Sequence, residues 1–201
     1  MKRNKLIYGV GINDAEYVVQ KFEVVSKRGE KLKRKCTWIC PFYSRWVSML
    51  QRCYSEKYQE RFPSYKGCEV YTEWLVFSCF KQWMETQDWE GNQLDKDILK
   101  EGNKIYSPDL CVFITQKVNS FYTDSARARG IYPIGVCYHS RDGVFRASCG
   151  DGEGNQKWLG SYQDALSAHN AWKRYKHELS LKIASEQENE LVAKALRTRY
   201  L

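Results

Sequence analysis

The 201-residue sequence lacks a long hydrophobic run and has few histidines, with none before His139. No window approaches the roughly 18 uninterrupted apolar residues of a membrane-spanning helix, so we expect no membrane partner. Residues 1–8 are basic, but no apolar stretch follows them, which is not typical of a secretory signal. The sequence therefore predicts a cytoplasmic location.

No C-x-x-C pair occurs among the eight cysteines. Cys36 and Cys40 are separated by one residue more than in the commonest zinc knuckle, so we expect no zinc. Most of the cysteines stand beside aromatic or aliphatic residues, and free cysteine is among the most buried residue types. The pattern favours reduced, structural cysteines.

Basic residues exceed acidic ones by eight, and the excess lies at the two ends of the chain. The net charge is +6 over residues 1–35, −2 over residues 36–126 and +4 over residues 127–201. Aromatic residues make up 14% of the chain, which argues against wholesale disorder. A basic, ordered chain of this kind is typical of nucleic-acid-binding proteins, although ordinary proteins share this charge. The basic run at residues 26–35 has no helical period and indicates an exposed arm or a hairpin around Gly29.

Hydrophobic spacing predicts an α+β fold. Apolar residues at helical intervals predict helices over residues 42–54 and 73–84. Residues 94–99 and 111–114 have the character of strands, and Thr115 can cap a helix that extends through Asn119. Three strands are predicted near residues 134–138, 144–149 and 157–160, followed by a helix that begins with a capping box of Ser161 and Asp164. Residues 184–201 are charged and indicate a helical extension or a tail.

One string in the middle of the chain is fairly specific. It comprises Leu-Asp-Lys-Asp at 94–97, Gly-Asn at 102–103, Tyr-Ser-Pro-Asp-Leu-Cys at 106–111, and Asn119. With the aromatic pattern upstream, it resembles the HNH-type nuclease module of phage-encoded homing endonucleases over about residues 40–120. The resemblance implies a site for Mg²⁺ or another divalent metal, with Asp95 or Asp97 and Asn119 as ligands.

Lys96 occupies the position where the resemblance implies a general-base histidine. A lysine with a reference pKa of about 10.4 is a poor base near neutral pH, so we predict impaired catalysis. A histidine at residue 96 should raise any activity if Asp95 and Asn119 are in place. The alternative is that the three charged residues at 95–97 are surface charges on a hairpin kept for its shape.

Residues 131–178 resemble the ethylene-response-factor-type DNA-binding domain, which is familiar in plants and often appended to phage HNH proteins. The matching residues are Gly-Val at 135–136, Phe-Arg-Ala at 145–147, Trp-Leu-Gly-Ser-Tyr at 158–162, and alanines at 165, 168 and 171. The resemblance implies a three-stranded sheet in the major groove of DNA, with a helix against its other face. The exposed candidates for DNA contact are Tyr138, His139, Arg141, Arg146, Lys157 and Trp158.

The sequence thus predicts a basic arm at 1–35, a degenerate HNH-like module at 36–123, an ethylene-response-factor-like domain at 124–183 and a helical tail at 184–201. We expect a protein that binds double-stranded DNA, with no small-molecule substrate, in the cytoplasm of the host cell if the chain is phage-encoded. The arm would contact phosphates through Lys31, Lys33, Arg34 and Lys35. Two alternatives remain: an active metal-dependent nicking endonuclease, and an interaction protein whose basic surface inhibits a host factor.

Overall fold

The structure is a computed structural model that describes residues 6–25, 33–122, 131–152 and 154–201. The architecture is α+β, as predicted, with helices beside several small sheets. The chain divides into two compact units, residues 1–113 and residues 114–201. In the part of the chain that the structure describes, no helix has the length and apolarity needed to cross a membrane.

The core of the first unit is built on helix α1, Pro41–Tyr54, which confirms the predicted helix at 42–54. Pro41 stands at the start of the helix, where its missing N–H costs no hydrogen bond. Trp46, Met49 and Leu50 are buried along one face. The indole Nε1–H of Trp46 donates to the main-chain oxygen of Trp74 at 2.7 Å, so its polar atom is satisfied inside the core. A short helix α2, Glu56–Arg61, and a 3₁₀ turn, Pro63–Tyr65, follow.

The predicted helix at 73–84 is interrupted in the structure. A 3₁₀ turn, Thr72–Leu75, is followed by Val76 in an extended conformation, and α3 then covers Phe77–Glu85. The main chain of Ile12 pairs at this break. Its N–H donates to the Leu75 oxygen at 2.8 Å, and its oxygen accepts from the Phe77 N–H at 3.0 Å. Because the N-terminal segment takes these main-chain groups, a continuous helix is not formed here.

Among the described residues of the predicted arm at 1–35, the segment around Gly11 packs into the first unit. Gly11 lies so close to α1 that a Cβ there would be 2.4 Å from Leu50 Cδ1, so only glycine fits without a shift. After this packed segment, β1, Gln20–Val25, pairs antiparallel with β2, Lys33–Ile39. The predicted turn at Gly29 and the basic residue Lys31 lie outside the described residues.

The HNH-like string folds into short strands joined by a long turn. Strand β3, Glu69–Val70, pairs in parallel with β5, Ile105–Tyr106, and β4, Gln93–Asp95, pairs with β6, Val112–Ile114. The strand predicted over 94–99 therefore ends at Asp95, where the Asp95 side chain bonds the following turn.

All eight cysteines of the chain are free thiols, and five are buried, in agreement with a structural role.

The second unit begins with α4, Gln116–Tyr122. As predicted, Thr115 caps it, with Oγ1 accepting the Val118 N–H at 3.2 Å. Strands β7, Val136–His139, β8, Val144–Gly150, and β9, Gln156–Tyr162, then form the predicted antiparallel sheet in the order β7-β8-β9.

Helix α5, Ala165–Ser185, packs on one face of this sheet. Small residues let it approach closely, since Ala147 and Ala168 are fully buried between them. The predicted capping box of Ser161 and Asp164 is wrong for Ser161. Asp164 alone is the N-cap, accepting the Ser167 N–H at 2.8 Å, because Ser161 lies inside β9.

The last segment is a separate helix, α6, Glu190–Thr198, rather than a continuation of α5. Asn189 caps it by accepting the N–H groups of Leu191 and Val192. The Ser180 hydroxyl, which is fully buried, donates to the Leu196 oxygen at 2.6 Å. Helix α6 therefore packs back against α5 through a buried face.

Candidate nucleic-acid interface

Lys96 is a buried structural residue in this fold. Its side chain is 6% exposed, and Nζ donates to both carboxylate oxygens of Asp97, at 2.7 and 2.8 Å, and to the Asn103 main-chain oxygen at 2.6 Å. An ammonium group has three donor hydrogens, and these contacts use them. The expectation of three surface charges at residues 95–97 is therefore wrong for Lys96.

Asp95 holds the turn that follows β4. Its Oδ1 accepts the N–H groups of Asp97 at 2.8 Å and Ile98 at 2.7 Å. Burial raises the pKa of the Asp95 carboxyl, and these two hydrogen bonds oppose the shift. The amide of Asn103 closes the other side of the turn, since Nδ2 donates to the main-chain oxygens of Lys96 and Ile105 and Oδ1 accepts the Ile105 N–H.

The two predicted acidic ligands both take part in the turn. One oxygen of Asp95 is used by two main-chain donors, and the Asp97 carboxylate is neutralised by Lys96. Asn119 lies on α4 in the second unit. Across the described residues, no group of three or more His, Cys, Asp or Glu side chains could hold a metal ion. Asp95 and Asp97 thus stabilise a hydrogen-bonded turn.

Sequence reasoning missed a cationic cluster behind this turn. Arg52, in the last turn of α1, places Nη1 3.4 Å from the Tyr106 hydroxyl and lies over the Tyr65 ring. Lys96 Nζ is 6.0 Å from the Tyr106 ring centroid. Burial raises the pKa of the Tyr106 hydroxyl, which therefore stays neutral beside the two cations.

The two faces of the β7-β8-β9 sheet differ in chemistry. Directly opposed residues on antiparallel strands point to the same face. Phe145 is opposite Tyr138 and Tyr162, and it packs with Tyr162 on the core beneath α5. Arg146, the next residue, is opposite Cys137 and Ser161, so it points to the other face. We call the side against α5 the inner face and the side with Arg146 the outer face.

The outer face presents an arginine beside a large exposed aromatic ring. Trp158 is opposite Ser148, on the same face as Arg146, and it is 67% exposed. Arg146 Nη2 donates to Asp142 Oδ2 at 2.7 Å, and His139 Nδ1 lies 3.1 Å from the same oxygen. Asp142 therefore holds the arginine at one end of the outer face, with the imidazole close to the same carboxylate.

Two of the predicted contact residues lie on the inner face instead. Tyr138 packs against Phe145, with ring centroids 5.0 Å apart. Lys157 is opposite Cys149, and its Nζ lies 4.5 Å from the Tyr175 ring centroid of α5. Arg141 is exposed in the β7–β8 turn. The structure thus groups His139, Arg146 and Trp158 together, with Arg141 at the edge, and separates Tyr138 and Lys157 from them.

The β1–β2 ribbon carries a second set of exposed cations. Lys33 and Lys35 are opposite Val25 and Glu23, whereas Arg34 is opposite Val24 on the other face. All three basic residues are exposed. The three predicted phosphate-contacting residues that the structure describes are therefore split between the two faces of the ribbon.

Comparisons of the chain with protein-family models, curated proteins and solved structures found no match.

Proposed function

We propose that this chain is a double-stranded DNA-binding protein of the phage HNH homing-endonuclease type, with impaired nuclease chemistry. The observation that carries the proposal is the outer face of the β7-β8-β9 sheet, where Trp158 is exposed beside Arg146. A small antiparallel ribbon fits the major groove of B-DNA, and arginine is the commonest side chain for specific contacts with guanine. In a phage-encoded protein this activity would take place in the cytoplasm of the host cell.

The geometry of the outer face suits direct contact with DNA. Asp142 orients the Arg146 guanidinium at the end of the sheet, which reduces the conformational freedom that the arginine would lose on binding. Trp158 offers a flat apolar surface for a sugar or a thymine methyl group. Arg141 in the adjacent turn is suited to a phosphate contact, because it is exposed at the rim of this face.

The β1–β2 ribbon would supply further phosphate contacts. Its three basic residues at 33–35 are exposed on strand β2, and only Glu23 on the described part of β1 opposes their charge. Phosphate contacts strengthen binding to every sequence and carry no base information. The ribbon would therefore set overall affinity, whereas the outer face would set preference for a site.

The proposal that cleavage is impaired depends on Lys96. Its buried ammonium is already bonded to Asp97 and Asn103, so it is positioned to stabilise a turn and cannot accept a proton from water. An active metal-dependent nicking endonuclease remains the alternative within the same family, and it would require a rearrangement that releases Asp95 and Asp97.

A second candidate function has an observation of its own. The β1–β2 ribbon exposes apolar side chains on a two-stranded sheet, with Phe22 52% and Val24 62% exposed. Exposed apolar groups beside basic ones are suited to a protein partner. An interaction protein that inhibits a host factor would use this surface, and its binding to DNA would be weak.

The affinity for duplex DNA should fall steeply with salt. Each neutralised phosphate contributes a slope of about −0.9 in log K against log salt, so about four contacts predict a slope of about −3 to −4. The test is a titration of a fluorescent duplex with the full chain at several salt concentrations. A flat salt dependence, or no binding at low salt, would refute the DNA-binding proposal and favour the protein partner.

Removal of the basic residues of β2 should weaken binding to all DNA sequences alike. The variant replaces Lys33, Arg34 and Lys35 by Ala, and the salt slope should become shallower by about 1 for each phosphate that is no longer neutralised. The matched control removes three exposed lysines elsewhere in the first unit, Lys57, Lys66 and Lys100. If the β2 variant bound DNA as tightly as the parent, the basic residues of β2 would be solvated surface residues without phosphate contacts.

A further inference from the structure

A cleft of about 640 Å³ lies beside α5 in the second unit. Four of its lining residues, at 170, 173, 174 and 177, are spaced by three or four positions and so share one face of the helix. They are Asn170, Lys173, Arg174 and His177, and the rings of Tyr162 and Tyr200 form another part of the wall. Among the described residues that line the cleft, none has an acidic side chain.

Arg174 is the uncommitted cationic donor of this cleft. Arg174 is exposed and makes no ion pair or hydrogen bond with the described residues. Lys173 Nζ donates to the Leu201 main-chain oxygen at 2.7 Å, and an ammonium group has two further hydrogens to donate. His177 Nδ1 is buried without a hydrogen-bond partner among the described residues.

We propose that this cleft binds the phosphate group of a nucleotide-sized ligand. Its volume falls within the range of about 300–1,000 Å³ that is usual for small-ligand sites, and such sites combine apolar walls with a few convergent polar groups. Arginine and lysine together supply the planar fork and the compact charge that recognise phosphate oxygens. Tyr162 and Tyr200 contribute to the apolar part of the wall.

The cleft is separate from the outer face of the sheet. Helix α5 packs on the inner face, and the cleft lies beside α5, whereas Trp158 points to the other side of the sheet. The proposal therefore does not rest on the proposed function. The phosphate could belong to a free nucleotide or to the backbone of a nucleic acid, because both present the same charged oxygens.

Calorimetric titration of the full chain tests the proposal and separates the two sources. The probes are inorganic phosphate, AMP and a short DNA duplex at low salt. We expect AMP to bind, and Arg174→Ala to weaken it about tenfold or more, because a charge-assisted hydrogen bond is removed. The matched control is Lys194→Ala, which removes one exposed positive charge from α6, away from the cleft.

Each outcome has a definite consequence. AMP binding that depends on Arg174 and is unaffected by Lys194→Ala and Arg146→Ala supports a free phosphorylated ligand, even if the chain does not bind DNA. Binding of the duplex alone, weakened more by Arg174→Ala than by Lys194→Ala, supports a backbone phosphate in the cleft. If Arg174→Ala changes the binding of no probe beyond the control, the proposal is wrong.

Discussion

Supercoiled plasmid DNA incubated with this protein and Mg²⁺ or Mn²⁺ should remain intact or be nicked only slowly. Loss of general-base assistance typically reduces a rate by about 10²–10⁴. In this fold, Lys96, which the resemblance to the HNH module places at the general-base position, is a buried ammonium with its donors engaged by Asp97 and Asn103. The measurement is the appearance of nicked circles over time, with a metal-free sample as the baseline.

The expectation that a histidine at residue 96 would raise activity depended on free ligands at Asp95 and Asn119. With Asp95 bonded to its own turn, we expect Lys96→His to leave cleavage undetectable. An imidazole is too short to replace the ammonium contact with the Asn103 oxygen. Loss of hydrogen bonds that involve a charged group should lower the free energy of unfolding by about 1.5–3 kcal/mol. Urea unfolding measures this decrease.

The control for this substitution is Lys100→His, at an exposed lysine in the same turn. A surface change of this kind usually alters the free energy of unfolding by less than about 0.5 kcal/mol. Equal stability of the two variants would contradict the structural role of Lys96. Robust metal-dependent cleavage by the unmodified protein, abolished by Asp95→Ala or Asn119→Ala, would show that the module is an active nuclease.

The parts of the fold that depend on local periodicity were predictable from the sequence. Helix α1 has a wide apolar stripe and a proline at its start, and the strands β7, β8 and β9 are separated by turn residues. Thr115 was predictable as a cap because threonine favours the N-cap position, and its side chain does accept a main-chain N–H from the next turn. In each case the decisive interactions are between residues close in sequence.

Non-local contacts explain what the sequence did not predict. The break at Val76 results from pairing with Ile12, more than sixty residues away, which no helical pattern can indicate. Lys96 is buried because Asn103, across the turn, supplies an oxygen for it. A charged side chain on a short turn is usually solvated. The charged sequence around Lys96 therefore favoured a surface position for this residue.

The strands that form the candidate DNA-binding face were predictable, but which of their side chains lie on that face was not. Lys157 and Trp158 are neighbours on one strand and must point to opposite faces, so both could not belong to one surface. Which of these two side chains points toward α5 is decided by the register shift between Ala147 and Ser148, where β9 gains an extra residue. Such a bulge leaves little trace in the sequence, because it reflects the pairing of two strands.

Arg146→Ala should weaken binding to a preferred DNA sequence by about 1–3 kcal/mol, or roughly 5–150-fold, and should weaken binding to random DNA much less. A bidentate interaction with a base contributes only where that base is present. The preferred sequence would first be selected from a random duplex library with the parent protein. Competition titration of both duplexes then measures the difference between the two affinities.

Lys157→Ala is the matched control, because it removes one positive charge from the same sheet but from the inner face, where Nζ lies over Tyr175. We expect it to change both affinities little and equally.

Trp158→Ala should weaken DNA binding by the outer face. Leu166→Ala, at an equally exposed apolar side chain on α5, should leave DNA binding unchanged. If Arg146→Ala lowered the affinity for both duplexes equally, Arg146 would contact a phosphate and not a base. If Lys157→Ala proved more damaging than Arg146→Ala, the inner side of the domain would face the DNA, and the proposed interface would be wrong.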